Sequence, residues 1–198
     1  RVFAKMKKMP TEDLSWLKNK FVLLDTNILI DSAKNPVEFE SFYSLLSNHD
    51  VKSVFDYTIT FEFLSYAVSS KQIMDYNLFL DHTFGAKKNQ LQLPTSPKLF
   101  KVAQNISLIA NRTDNNKIGL ADCLIGAQLA QYSDGSLFLA TQNHSDFPPC
   151  IYDLMCKQII RLKSGKIKVI GIYKLNKEQY LELVNDLSIS DNELIQSK

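Results

Sequence analysis

The stretch FVLLDTNILID, Phe21 to Asp31, runs four β-forming residues into a carboxylate, with Thr26 and Asn27 directly behind it. An isolated charge beside a core is costly, so a chain that ends an apolar strand on an acid is usually placing that acid. The bland alternative is that Asp25 caps the next helix and Asn27 forms its turn. The choice between the two depends on where other acids stand without charged neighbours.

Three more acids stand that way. Glu62 is the one charged residue between Asp56 and Lys71. Asp122 is the one charged residue between Lys117 and Asp134, inside GLADCLIGAQLA, a segment apolar nearly all round and therefore expected to be a buried helix. Asp146 follows the apolar run SLFLA in the stretch TQNHSDF, with Asp153 as a weaker substitute for it. The blander roles are an exposed helical glutamate for Glu62, a place beside helix N-terminal N–H groups for Asp122, and an ordinary loop acid for Asp146. Asp31 has solvated-looking neighbours in Ser32, Lys34 and Asn35, and reads as a surface or capping residue.

The elements around these acids alternate. Strands are predicted at Phe21–Leu24, Val51–Phe55, Leu91–Leu93 and Ser136–Ala140. Between them the apolar spacing predicts helices. One runs over Glu12–Lys18, capped by Thr11. One or two follow Asp25, broken near Asn35-Pro36, and another runs through Ser69, capped by Thr58 or Thr60. Further helices are predicted over Ile73–Phe84, Pro97–Ala110 and Gly119–Gln131, with the polar NRTDNNK, Asn111–Lys117, as a loop. Strands alternating with helices imply an α/β fold with a central parallel sheet and flanking helices. The C-terminal part differs: Gln158–Leu162 and Lys166–Tyr173 flank Ser164-Gly165 as a hairpin, and Asn176 caps a helix to about Leu187. The expected organisation is one domain over 1–150, its core at 20–148, with 151–198 as a hairpin-and-helix extension packed on it.

Bulk properties narrow the class. At 198 residues, 45% hydrophobic and 22% charged, the chain is long enough for a substantial core and is not of disordered composition. A net charge of +2 means that any affinity for nucleic acid must come from local patches. Cys123, Cys150 and Cys156 form no CxxC pair and read as free thiols in a reducing compartment. The basic opening RVFAKMKKMP leads into no apolar signal-peptide segment, and no run approaches the ~18 residues of a membrane span. A cytoplasmic protein without membrane contact is expected. No HExxH joins His49, His82 and His144, of which His144 reads as a solvated loop residue near the acids. No GxGxxG or P-loop supports a nucleotide cofactor. A phosphatase-type D-x-D would need an acid where Asn27 stands.

Asp25 and Asp146 thus come just beyond the carboxyl ends of predicted strands, and Glu62 and Asp122 near the starts of helices. In open α/β sheets sites gather there, so four acids could converge. Clustered carboxylates raise one another's pKa unless a cation sits among them, and an all-oxygen set suits Mg²⁺ or Mn²⁺.

Taken in order, LDTNILID, TFEFL, LADCLIGAQLA and FLATQNHSDF resemble the successive motifs of PIN-domain nucleases over Phe21–Phe147. The resemblance implies a PIN-like, Rossmann-like α/β sandwich and a Mg²⁺- or Mn²⁺-dependent endoribonuclease that leaves 3′-hydroxyl and 5′-phosphate ends. By motif position Asp25, Glu62, Asp122 and Asp146 match its catalytic, metal-holding acids, and Asn27 and Thr141 the polar residues that support them. Small members resemble the toxins of toxin–antitoxin pairs (VapC-like), which an antitoxin protein inhibits, and relatives often form homodimers. This chain is longer than those, with extra helices after Ile73 and a tail after Pro148. Two rival readings accompany this one: a nuclease-inactive PIN-fold module for RNA binding or assembly, and a structure-specific DNA nuclease.

The tail adds a charge pattern. From Leu154 to Asn176 no acid occurs, while Lys157, Arg161, Lys163, Lys166, Lys168 and Lys174 are basic. Lys166 and Lys168 are expected to share one strand face, opposite Ile167 and Val169, and together with Arg161 to bind RNA phosphates. The equal alternative is an edge strand guarded by lysines against aggregation.

Overall fold

The computed structural model describes residues 14–84, 92–113 and 117–186. Among them, one six-stranded sheet combines with seven α-helices in an α/β arrangement. The strands are β1 (Phe21–Leu24), β2 (Lys52–Asp56), β3 (Gln92–Leu93), β4 (Leu137–Thr141), β5 (Tyr152–Arg161) and β6 (Ile167–Leu175). The helices are α1 (Thr26–Lys34), α2 (Pro36–Asn48), α3 (Tyr57–Ser65), α4 (Ser70–Phe84), α5 (Pro97–Thr113), α6 (Leu120–Gln131) and α7 (Lys177–Asp186).

The sheet order is β3-β2-β1-β4-β6-β5. The first four strands are parallel, and β6 then pairs antiparallel with both β4 and β5. The sheet is therefore mixed, where a parallel one was expected. Hydrogen bonds from Leu139–Thr141 to Gly171–Tyr173 carry the hairpin into the central sheet itself. Its turn closes through Leu162 and Lys166, and Gly165 takes the left-handed backbone (φ 82°) that favours glycine.

From β1 the chain steps outward to β2 and β3, then returns to place β4 on the other side of β1. Helix α1 packs with α2 and α3, and α3 with α4, while α5 packs with α6 and α7, the grouping that right-handed crossovers on a reversing strand order produce. All five residues of β4 are buried, as a strand covered on both faces requires. The stretch Cys123–Ala130 of α6 is also buried throughout, which explains why that helix shows so little amphipathic pattern. The β1/β4 boundary is the point where strand order reverses, so the crevice beyond the carboxyl ends of these two strands is where an open α/β sheet places a site.

Several local expectations change. Thr58 and Thr60 do not cap α3. Strand β2 passes into the helix without a loop, so its last residue does the work: Asp56 Oδ1 accepts from the Ile59 N–H at 2.8 Å. The Thr60 hydroxyl instead donates to the Asp56 carbonyl at 2.9 Å. That helix stops at Ser65, short of Ser69, and Asn111–Thr113 continue α5 where a loop was expected. The segment Ser15–Leu17 is a single 3-10 turn. The predicted cap Thr11, and Leu91 and Leu187 at two predicted element ends, lie outside the described residues. Asn176 does cap α7, its Oδ1 accepting from the Gln179 N–H at 3.1 Å. No helix among the described residues is long and apolar enough to cross a membrane.

Candidate functional site

Strand β1 ends on Asp25, whose backbone carbonyl starts α1 by accepting from Ile28 and Leu29. Its carboxylate makes no capping bond to the helix. Instead Oδ2 accepts from the Thr141 hydroxyl and the Asn27 side-chain amide, both at 2.5 Å. The capping role considered for this side chain therefore does not describe it. Asp25 is 4% exposed, and burial lifts its pKa to about 6. The Thr141 bond and the Thr26 backbone oppose that rise, while the charge of Glu62 adds to it.

Asn27 and Thr141 form a small truss around this acid. Asn27 Nδ2 also donates to Thr141 Oγ1 at 3.1 Å, and its Oδ1 accepts from the Gln142 N–H at 3.1 Å. Thr141 Oγ1 accepts in turn from the Asn143 N–H at 2.9 Å. The ends of β1 and β4 are thus tied together at the carboxylate, and Asn27 is bound into the site rather than serving as a turn former.

Glu62 comes in from α3, where Thr26 holds it: the Thr26 hydroxyl donates to Glu62 Oε2 at 2.7 Å. Asp122 stands in the first turn of α6, beside Gly119 at the helix cap, where an added Cβ would lie 3.1 Å from its Oδ2. Burial, then the charges of Asp146, Asp25 and Glu62, raise the Asp122 pKa to about 7. Asp25, Glu62 and Asp122 line one cleft of about 360 Å³. Asp146 sits in a 3-10 turn (His144–Asp146), is held by the Asn143 amide and the Ser145 hydroxyl, and reaches the cleft through its field on Asp122. Among the described residues no three His, Cys, Asp or Glu side chains are drawn together as a ready-made metal cage. Asp25, Glu62 and Asp122 share the cleft, which Asp146 does not line, and their oxygen-only donor set fits a hard divalent cation.

Two residues stand differently from expectation. Asp31 lines the cleft rather than the open surface, and its Oδ2 lies 2.5 Å from Lys168 Nζ. It lies one turn beyond Asn27 on α1, a spacing that puts both on one helix face. Lys168 shares no strand face with Lys166, which lies in the exposed hairpin turn ahead of β6. Arg161, exposed at the end of β5, pairs with Ile167 in the sheet and stays with the hairpin tip. Of these three basic residues only Lys168 lines the cleft. The edge-guarding alternative does not suit it either, because β5 is the sheet's edge and β6 is paired on both sides.

His144 is packed rather than solvated. Its Nδ1 shares a 2.7 Å hydrogen bond with the Tyr173 hydroxyl, and its ring passes over Gly171, where a Cβ would stand 2.9 Å from it. Asp153, the weaker substitute for Asp146, pairs with Lys174 at 3.4 Å and accepts from Asn176. Nothing in the sequence marks Thr26 as a site residue except its place between Asp25 and Asn27. No family model, curated protein or solved structure matches the chain.

Proposed function

We propose that this cleft is the active site of a PIN-type, Mg²⁺- or Mn²⁺-dependent endoribonuclease. The observation that carries the reading is the gathering of Asp25, Glu62 and Asp122 from three separate elements into one cleft. The basic residue of that cleft lining, Lys168, is already paired with Asp31. The order of the four motifs along the chain and the strand reversal at β1/β4 support the same reading.

Asp25, Glu62, Asp122 and Asp146 would hold the ion, which when bound supplies an activated water and offsets charge on the phosphate. The protein's own part is orientation. Thr141 and Asn27 fix the Asp25 carboxylate, and Thr26 fixes Glu62, so little reorganisation remains when substrate arrives. Lys168, which lines the cleft in a pair with Asp31, would meet a phosphate oxygen.

The test is incubation of the full chain with total RNA and Mn²⁺, followed by mapping of fragment ends. Cleavage leaving 3′-hydroxyl and 5′-phosphate ends is expected, abolished by Asp25→Asn and by Asp122→Asn while circular dichroism stays native. Full activity in either variant would remove that residue from the chemistry. RNA binding without cleavage by the unmutated protein would assign the chain to the nuclease-inactive role. A toxin's place beside an antitoxin belongs to the same reading. Its test is whether the adjacent reading frame encodes a protein that binds this chain and silences it.

A further inference from the structure

One wall of the cleft is aromatic. Tyr66 caps the C-terminus of α3, four residues (about 6 Å along the axis) beyond Glu62, and lines the cleft with it while remaining 61% exposed. The same nine-residue helix leaves Phe61 74% and Tyr57 61% exposed. Aromatic rings are large apolar surfaces that proteins ordinarily cover. Phe61 and Tyr57 are spaced one turn apart on another side of the helix, so Tyr66 is the ring that belongs to the cleft. Lys168 and Asp31 line the cleft as well.

A phosphate resting over the acids within reach of Lys168 would bring its adjoining base to the ring of Tyr66. Every base has a π-face that stacks on an aromatic side chain without demanding a sequence. Bases inside an A-form duplex are already stacked on one another and are closed to such contact. We propose that Tyr66 is the stacking platform for the base next to the cleaved phosphate and the residue through which this cleft holds an unpaired strand. This inference rests on the nuclease reading.

The experiment compares the full chain with Tyr66→Ala and Tyr66→Phe in Mn²⁺-dependent cleavage of one oligoribonucleotide, single-stranded and annealed to its complement. A version carrying 2-aminopurine beside the cut site reports stacking directly. The expected result is faster cleavage of the single strand, with a KM raised roughly five- to a hundredfold by Tyr66→Ala and kcat changed less. Tyr66→Phe should keep KM near the wild-type value, and 2-aminopurine quenching should be lost only in the alanine variant. Equal KM for wild type and Tyr66→Ala, or equal cleavage of single and double strands, would overturn the inference while leaving the nuclease reading standing. If the wild-type protein cuts no RNA, both fall. A change in oligomeric state by light scattering in Tyr66→Ala, with KM unchanged, would make the ring a protein contact and overturn the inference as well.

Discussion

Asp122 is the residue whose surroundings are least comfortable. Burial and three neighbouring acids raise its pKa to about 7 from 3.8, and burial raises that of Asp25 to about 6. A carboxyl that holds its proton more firmly folded than unfolded stabilises the fold below its unfolded pKa. It loses that contribution as pH climbs through the folded value. Metal-free protein should therefore lose stability from these two groups between about pH 4 and about pH 7. Asp122→Asn cannot ionise, so in chelator it should melt above wild type at about pH 8, with the gap closing toward about pH 4. Identical melting at the higher pH would mean that the acid is well solvated, against the clustered arrangement. Adding Mn²⁺ should reverse the order. Wild type gains by binding linkage and the variant gains less, and thermal melts with and without the ion read this independently of activity.

At the scale of elements, α3 deserves most weight because it delivers both Glu62 and Tyr66. Its start depends on Asp56, which is fully buried, accepts from Ile59 N–H and is approached by the Gln128 amide at 3.4 Å. Asp56→Ala leaves the Ile59 N–H without its acceptor, while the Gln128 amide keeps the Pro94 carbonyl at 3.1 Å, and it should cost about 1–2 kcal/mol in urea denaturation. RNA cleavage should fall with it, as Glu62 loses its fixed approach. Asp56→Asn retains a capping oxygen and should cost clearly less. Equal stability of the alanine variant and wild type would show that the helix is held by packing alone. The sequence located this helix but ran it on to Ser69 and assigned its cap to a threonine. Thr58 and Thr60 look like caps in isolation, whereas Asp56 looks like a loop acid until the strand is seen to end on it.

At the scale of the whole molecule, the hairpin decides whether the site can exist. Strand β6 pairs with β4 next to Thr141, which holds Asp25, and Ile170 and Ile172 of β6 are core residues. A chain ended at Cys150 would uncover the edge of β4 and that part of the core together. We expect it to be recovered unfolded or aggregated, with circular dichroism showing no cooperative melt. A truncated chain that melts cooperatively and still cuts RNA would show that the hairpin is dispensable.

The amino-acid sequence by itself determined the alternation of strands and helices and the presence of lone acids at Asp25, Glu62 and Asp122. Apolar periodicity and the cost of burying charge are local properties that any stretch of chain displays. What only the tertiary structure decided was pairing: Thr26 with Glu62, Lys168 with Asp31, His144 with Tyr173, and β6 with β4. Asp31 and Lys168 each look solvated among their own neighbours. They meet because the mixed sheet carries a late strand back to the side of the first helix, and no local pattern records a contact across 137 positions, from 31 to 168.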